Sequence, residues 1–197
     1  MKNKMRKMND KEFMTHINFL TKDLKIFLNN NNLKIDYICP VLRSGAVPAV
    51  YIANKLNIVK FAPFQAKHIT YKNKEEKIEV LFNPLTSLNI NKKQPVILIV
   101  EGTHSTGKSV ELCINEIYKT YPKAKILYVS IAKSYGSKEF NDKILYENHS
   151  LIFSTSKTKK ECKKLKINPY LALYPWEVLE YEIKHPDDLE ENIFFWA

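Results

Sequence analysis

The first part of the chain alternates apolar and polar positions with a helical period. Apolar side chains recur every three or four residues from Phe13 to Leu28, which places them on one face of a helix. Asp10 can cap this helix, and the asparagine run at residues 29–32 ends it. Residues 1–32 are therefore predicted to form an N-terminal helical segment.

The pattern then changes to short, continuous apolar runs, which are typical of buried strands. Residues 37–42 and 58–64 are two such runs. Between them lie a tight turn at residues 43–45 and an apolar segment at residues 47–56 that is long enough for a helix. The sequence here predicts a βαβ unit with two parallel strands.

Residues 65–93 are polar and charged by comparison. A hairpin can form within them, with residues 69–71 paired to residues 78–81. A segment of this length and polarity is typical of a mobile excursion from a central sheet.

A second strand, loop and helix follow the excursion. They are predicted at residues 95–100, 101–107 and 108–118, with further strands at residues 124–131, 151–154 and 170–174. Alternating strands and helices predict an α/β fold with a mostly parallel central sheet flanked by helices, and with ligands at the carboxyl ends of its strands. We expect a single domain over residues 1–197, with residues 178–197 as a C-terminal tail.

Composition indicates a globular protein with one core. The 197 residues are 45% hydrophobic, and the basic residues 1–7 lead into a polar segment instead of an apolar signal core. Cys39, Cys113 and Cys162 are far apart and form no CxxC pair, which indicates reduced thiols. These features predict a cytoplasmic protein that does not span a membrane.

The net charge of +10 bears on the choice of partners. Six of the ten residues at 157–166 are lysine, and such a segment attracts the phosphates of a nucleotide, a nucleic acid or an acidic partner. No aromatic stacking residues are interleaved there, so a solvated helix face is the favoured interpretation. A protein or nucleic-acid partner at this basic surface stays open, as does a homo-oligomer.

Residues 102–109 carry the densest candidate chemistry. Their sequence, Gly-Thr-His-Ser-Thr-Gly-Lys-Ser, fits the pattern G-x-x-x-x-G-K-[ST], in which backbone amides at a helix N-terminus hold phosphate. A P-loop nucleotide-binding protein is therefore one alternative. Against it, the later strand ends at Lys133 and not at an Asp that could hold magnesium.

Four segments in a fixed order carry a resemblance to a known family. They are Cys39-Pro40-Val41-Leu42-Arg43-Ser44-Gly45, Val100-Glu101 with Thr106-Gly107-Lys108-Ser109, Ser130-Ile131-Ala132-Lys133-Ser134-Tyr135-Gly136, and Leu173-Tyr174-Pro175-Trp176-Glu177. Together they resemble the type I phosphoribosyltransferases, particularly the xanthine–guanine branch of these purine enzymes. The resemblance covers about residues 36–177 and implies that family's α/β fold, with a small hood and a mobile loop.

The resemblance implies a role for each matching residue. The residues that would bind pyrophosphate are Arg43, Ser44 and Gly45, and those that would surround a 5′-phosphate are Thr103, Ser105, Thr106, Gly107, Lys108 and Ser109. Glu101 would contact the ribose and take part in holding Mg²⁺, and Lys133 would meet the exocyclic oxygen of a purine.

Three positions depart from the family's pattern. Gly102 replaces the second acid of the ribose-binding pair, Ser105 replaces an Asp that takes a base proton, and Leu171 replaces a base-stacking Trp. A neutral Ser is no general base at pH 7, so His104 is the nearby candidate, although an isolated loop histidine more often has no catalytic role. If Gly102 is simply a lost contact, Gly102→Asp should restore the acid pair.

Two classes of function follow. The leading interpretation is a phosphoribosyltransferase-like protein that binds phosphoribosyl diphosphate (PRPP) or a nucleotide and, if active, is a Mg²⁺-dependent glycosyltransferase that transfers 5-phosphoribosyl to a purine-like base. The alternative is a catalytically diverged module that senses a nucleotide or serves as a scaffold in a regulatory or defence complex with protein or nucleic acid. The three departures favour the alternative.

Overall fold

A computed structural model of the chain describes residues 4–70, 76–83, 92–134, 139–140, 143–153 and 167–177. Its main sheet has six strands in the order β4-β3-β2-β5-β6-β7. They are β2 (Tyr37–Leu42), β3 (Phe64–Thr70), β4 (Glu76–Phe82), β5 (Val96–His104), β6 (Lys125–Ser134) and β7 (Tyr146–Phe153). All neighbours are parallel except β4, which is antiparallel to β3. The predicted α/β fold with a mostly parallel sheet is confirmed.

Three helices cover the two faces of this sheet. They are α1 (Asp10–Asn30), α2 (Ala46–Leu56) and α3 (Lys108–Thr120). The apolar faces of α1 and α2 pack into one core, and that of α3 packs into another on the opposite face. The cap of α1 is Asn9 and not Asp10, because the Asn9 side chain accepts a 2.9 Å hydrogen bond from the Glu12 amide.

The second predicted strand, at residues 58–64, is placed too early. β3 begins only at Phe64, and the residues before it make a single isolated bridge, between Phe61 and Ile38. The amide of Ile58 instead donates to the Ala53 carbonyl at 2.9 Å, so these residues complete the end of α2. Val59 is 82% exposed, so the prediction was wrong to place this apolar residue in a buried strand.

A hairpin within residues 65–93 is present, but residues 78–80 pair with residues 66–68 and not with residues 69–71 as predicted. β3 and β4 pair in antiparallel register, with His68 opposite Ile78 and Ile69 opposite Lys77. β7 starts at Tyr146, five residues earlier than the strand predicted at residues 151–154. The lysine-rich segment 157–166 and the tail 178–197 lie outside the described residues.

A second, two-stranded sheet lies beside the first. β1 (Lys4–Lys7) pairs in parallel with β8 (Ile167–Leu173). β8 contains most of the strand predicted at residues 170–174, but it joins β1 and contacts β5 and β6 without entering the main sheet. The hood that the resemblance implies stays a prediction. No helix in the described part of the chain is long and apolar enough to cross a membrane.

Candidate functional site

Two loops meet at the carboxyl ends of the central strands. β2 and β5 are parallel neighbours, with Pro40 opposite Val100, so the loop that follows each strand lies at the same edge of the sheet. In the first loop, residues 43–45, the Ala46 amide donates to the Arg43 carbonyl at 3.0 Å. The Leu42–Arg43 peptide bond in this loop is cis.

Gly45 is required by the close approach of this first loop to β5. A Cβ atom at Gly45 would overlap the Val100 carbonyl oxygen and lie 2.7 Å from the Val41 carbonyl oxygen. Both obstacles are backbone atoms of central strands, which cannot move aside. The first loop is therefore locked against the sheet.

The second loop is shorter than predicted. Residues 101–107 were expected to form a loop, but β5 continues through His104 and pairs with β6, with Glu101 opposite Ser130 and His104 opposite Lys133. The loop is reduced to residues 105–107. Gly102 lies within the strand, so it cannot be the first glycine of a phosphate-wrapping loop as the P-loop alternative requires.

Gly107 opens helix α3 in a left-handed conformation. Its φ is +75°, a region that residues with a side chain rarely adopt. A Cβ atom there would also lie 2.7 Å from Cζ of Phe140 and 2.9 Å from Cε1 of His104. Thr106 and Lys108 are exposed beside it. Amides at a helix N-terminus that follow such a turn can bind an anion.

Glu101 points into the protein. Its Oε2 accepts a 2.8 Å hydrogen bond from the Tyr128 hydroxyl, and its side chain is only 12% exposed. Burial raises the pKa of Glu101 to about 7, although the Tyr128 hydrogen bond acts in the opposite direction. Burial and the adjacent Glu101 charge raise the pKa of Tyr128. Burial thus favours the neutral form of Glu101.

His104 lies in β5 and is fully buried, so its prediction as a loop residue is wrong. Its Nδ1 lies 2.8 Å from the Tyr128 hydroxyl, and its ring centroid lies 5.3 Å from that of Phe140 and 5.2 Å from that of His149. β5 continues beyond its predicted end at Val100 because its polar residues pair with β6 and pack beneath the second loop.

These side chains form one buried cluster on the α3 face of the sheet. Its other hydrogen bonds join His149 to Ser130 at 2.6 Å and to Glu147 at 2.9 Å. We define the buried cluster as Glu101, His104, Tyr128, Ser130, Phe140, Glu147 and His149. The pKa of Glu147 is lowered, because hydrogen bonds from His149 and from the Phe140 amide outweigh its partial burial, which is the largest single effect.

Lys133 is the penultimate residue of β6 and lies next to this cluster. Its side chain is 9% exposed, and its ammonium group lies 3.0 Å from Oε1 of Glu139. Unlike an ordinary lysine near a strand end, Lys133 is therefore largely shielded from solvent and lies beside a carboxylate. Its contact with a purine stays a prediction.

Gly102 is in contact with the first loop. A Cβ atom at Gly102 would lie 2.7 Å from Cβ of Ser44 and 3.0 Å from the Ser44 carbonyl oxygen. Gly102→Asp alone would therefore require Ser44 to shift. Restoration of an acid pair by this substitution stays a prediction. Side chains at positions 44 and 102 exclude each other.

The C-terminal segment closes over the same strand. The hydroxyl of Tyr174 donates to the Gly102 carbonyl and lies 2.9 Å from Oγ1 of Thr103. Tyr174 stacks on Trp176 with ring centroids 5.0 Å apart, and Trp176 packs edge-on against Phe13 at 4.8 Å. Thr103 is therefore engaged within the strand and does not belong to the phosphate loop.

The carboxylates do not fit a resident Mg²⁺ ion. Mg²⁺ prefers carboxylate oxygens in octahedral geometry, but position 102 has no side chain and Glu101 is directed at Tyr128 with a raised pKa. Within the described ranges, no group of three or more His, Cys, Asp or Glu side chains could hold a metal. An ion at this site would depend mainly on oxygens of a ligand.

A group of three lysines lies away from the two loops. A groove of about 320 Å³ between α1 and α2 is lined by Asn18, Thr21, Lys22, Lys25 and Lys55. The hydroxyl of Thr21 already donates to the Ile17 carbonyl at 2.6 Å. The groove contributes positive charge to the surface.

Sequence reasoning missed three residues that lie close to the two loops. Tyr128 lies in the middle of an apolar strand, and His149 lies before the strand that was predicted, so neither stood out. Tyr174 was named only as part of the segment at residues 173–177, without a role of its own. A tyrosine in a run that is otherwise aliphatic is the available signal, because its buried hydroxyl needs a partner.

Comparisons with known proteins agree on the fold. No protein-family model and no curated protein matches the sequence. A purine phosphoribosyltransferase from Pyrococcus horikoshii Ot3 is 20% identical, with a TM-score of 0.60 over 87% of this chain and 93% of that one. A hypothetical protein from Neisseria gonorrhoeae with bound ppGpp is 14% identical, with a TM-score of 0.68 over 91% and 92%.

A third structure extends this similarity to the branch that the motifs resemble. The xanthine-guanine-hypoxanthine phosphoribosyltransferase of Helicobacter pylori is 14% identical, with a TM-score of 0.55 over 82% of this chain and 99% of that one. At such identities the likeness concerns the backbone architecture. The chain has the fold of the type I phosphoribosyltransferases.

Proposed function

We propose that the two loops bind a ligand with a phosphorylated ribose, either PRPP or a nucleotide. The observation that carries this proposal is the convergence of two glycine turns on one edge of the sheet, the first locked by Gly45 and the second opening α3 at Gly107. Arg43, Ser44 and Gly45 bind the diphosphate end, and the backbone amides of residues 105–109 hold the 5′-phosphate.

The ligand supplies most of the oxygens for Mg²⁺ in this proposal. Glu101 precedes the second loop, and its carboxylate is held by Tyr128. Metal ions accompany the ligand's phosphates, as is common for Mg²⁺ sites. The contribution of Glu101 to the ribose is correspondingly small.

A nucleotide-sensing role without group transfer is the form of this function that the site favours. Ser105 offers no base at neutral pH, and the nearby His104 is fully buried in contact with Tyr128. A general base must lie within reach of the proton that it abstracts. ppGpp, which the Neisseria protein binds, belongs among the ligands to test together with PRPP, GMP and ATP.

Transfer of phosphoribosyl to a purine is the second candidate. It is favoured by the position of Lys133 near the end of β6. The Lys133 side chain is largely buried and lies beside Glu139. In that reaction a purine nitrogen bonds to C1 of the ribose and loses its proton to water, while the C1–O bond to diphosphate breaks. Catalysis would rest on positioning and on stabilising the leaving diphosphate.

Calorimetric titration of the full chain with each ligand, with and without Mg²⁺, tests the site. Lys108→Ala should weaken binding roughly tenfold, because it removes a charge-assisted contact at the start of α3. Lys119→Ala is the matched control, an exposed lysine in the last turn of the same helix that pairs with Glu116 at 2.6 Å. The proposal fails if wild type binds none of the ligands, or if the two variants behave alike.

Release of diphosphate from PRPP in the presence of guanine, hypoxanthine or xanthine separates the two candidates. Tight PRPP binding without turnover supports the sensing role. Turnover that is lost in Lys133→Ala supports transfer.

A further inference from the structure

The groove between α1 and α2, which we call the lysine groove, carries an excess of positive charge. Lys22 and Lys25 lie on α1 and Lys55 lies on α2, and all three are exposed. Asp23 is directed away from them toward β7, where it accepts a 3.1 Å hydrogen bond from Asn148. Among the described residues, no carboxylate forms an ion pair with any of the three lysines. The lysine groove therefore attracts an anionic group.

Exposed apolar side chains border the lysine groove. On α1, Phe19 and Ile26 lie three and four residues from Lys22. On α2, Tyr51 lies four residues from Lys55, and both spacings put side chains on the same face of a helix. Phe19 is 47% exposed, Ile26 49% and Tyr51 41%. An occupant that buries this surface needs apolar groups as well as negative charge.

The chain itself contains a segment of this composition. Residues 178–197, which we call the acidic segment, hold six of the 21 Asp and Glu residues and one lysine, a net charge of −5 with histidine neutral. Since the whole chain carries +10, the acidic segment is opposite in sign to the rest. Its glutamates at positions 190 and 191 are followed closely by Ile193-Phe194-Phe195-Trp196. Carboxylates beside aromatic residues match lysines beside exposed apolar side chains.

The described chain ends at Glu177, beside the same two helices. Trp176 packs edge-on against Phe13 of α1 at 4.8 Å, and Phe13 packs against Tyr51 of α2 at 5.4 Å. Thr21 in the lysine groove lies two helical turns beyond Phe13, a distance of about 12 Å. An extended chain covers about 3.3 Å per residue. The acidic segment is therefore long enough to reach the groove several times over.

We propose that the acidic segment binds in the lysine groove of its own chain. Its carboxylates pair with Lys22, Lys25 and Lys55, and its aromatic residues cover the apolar side chains that border them. Individually weak pairs suffice for this contact, because a covalently attached segment has a high effective concentration at the groove. Docking of the segment withholds the lysine groove from other anionic molecules.

Carbodiimide cross-linking of the full chain tests this contact, because the reagent joins a carboxylate directly to a lysine without a spacer. Wild type should give cross-links from Lys22, Lys25 or Lys55 to carboxylates of the acidic segment, identified by mass spectrometry. In a mixture of isotope-labelled and unlabelled protein, both linked peptides should come from the same chain. Wild type without these cross-links overturns the proposal. Cross-links only between labelled and unlabelled chains also overturn it and indicate a second copy as the occupant.

Charge reversal tests whether the lysines of the groove hold the segment. Lys22→Glu/Lys25→Glu should lower the cross-linking of the segment to the remaining Lys55 roughly fivefold or more. Addition of Glu190→Lys and Glu191→Lys to this variant should restore the contact, now with the carboxylates on α1 and the lysines on the segment. Thermal melts verify that both variants fold.

Lys159→Glu/Lys160→Glu is the matched control. It makes the same charge change within the lysine-rich residues 157–166, and it should leave the cross-linking at Lys55 unchanged. Equal losses in the two double variants would mean that total charge and not the groove attracts the segment, and they overturn the proposal. These outcomes are independent of ligand binding at the two loops.

Discussion

The two loops each contain a glycine whose replacement should be costly, but for different reasons. Gly45 has an ordinary φ of −76°, and carbonyl oxygens of Val41 and Val100 leave no room for a Cβ atom. Gly107 has a φ of +75° and rests on the side chains of His104 and Phe140. The first loop is therefore fixed by backbone, and the second by side chains.

This difference determines which loop can respond to its surroundings. Backbone atoms of a central parallel sheet keep their places, whereas side chains can change rotamer or protonation state. The second loop lies on the buried cluster, which contains two histidines and two carboxylates. We expect changes in pH and packing to act on the second loop and to leave the first unaffected.

The largest effect is expected for Gly45→Ala. The new methyl group would overlap the Val100 carbonyl oxygen, so the free energy of unfolding should fall by more than ~3 kcal/mol. Urea denaturation measures this loss. A decrease in the free energy of unfolding of less than ~1 kcal/mol would show that the first loop can move away from the sheet. That result would contradict the conclusion that backbone atoms fix this loop.

Glu101→Gln should remove a pH dependence of stability. The pKa of Glu101 is about 7 in the folded protein, against 4.5 as its ordinary value. As pH rises from 4.5 to 7, the unfolded chain loses this proton before the folded protein does. Stability therefore falls across that window, by at most roughly 3 kcal/mol.

Urea midpoints between pH 4 and 8 check this prediction. Glu101→Gln should flatten the decline, while Glu79→Gln, at a surface position on β4, should retain it. Parallel profiles for wild type and Glu101→Gln would mean that the buried carboxyl does not titrate in this range.

Gly107→Ala should have an intermediate effect on stability and a strong one on ligand binding. A left-handed residue with a side chain costs about 1–2 kcal/mol, and the methyl group also presses on His104 and Phe140. Asn57→Ala is the control, because Asn57 has a φ of 54° at the end of α2, away from the loops. Both variants should lose stability, but only Gly107→Ala should lose affinity for nucleotides in calorimetry.

Tyr174→Phe should have the smallest effect. It removes the hydrogen bonds to the Gly102 carbonyl and the Thr103 hydroxyl, which together contribute about 1 kcal/mol. Tyr118→Phe is the control, since the Tyr118 hydroxyl donates to the Lys143 carbonyl at an exposed position. Thermal melts should show a larger loss for Tyr174→Phe, because its partner is buried.

The central strands could be predicted where apolar runs have clear polar boundaries. The bounds of β2 agree with the prediction at both ends, because Asp36 and the Arg43 turn flank its apolar run. The extension of β5 through His104 could not be predicted, because Glu101, Thr103 and His104 are polar and are held by pairing with a distant strand. Local sequence carries no information about such a partner.

The site, too, could be predicted only in part, because some of its contacts join residues that are distant in the sequence. The glycines and the loop positions followed from the motifs, but the direction of the Glu101 side chain depends on Tyr128, which is 27 residues away. The exclusion between Ser44 and Gly102 likewise depends on two strands that are adjacent only in space. The departure at Gly102 is thus tied to the position of Ser44 in the first loop.

Trp176 gives the protein an intrinsic optical reporter. Its indole stacks on Tyr174, and the Tyr174 hydroxyl holds the backbone of Gly102 between the two loops. Indole fluorescence is sensitive to the contacts of the ring, so a rearrangement of β5 that moves Tyr174 is converted into a change of emission. We expect ligand binding at the loops to be measurable through this emission, without any added label.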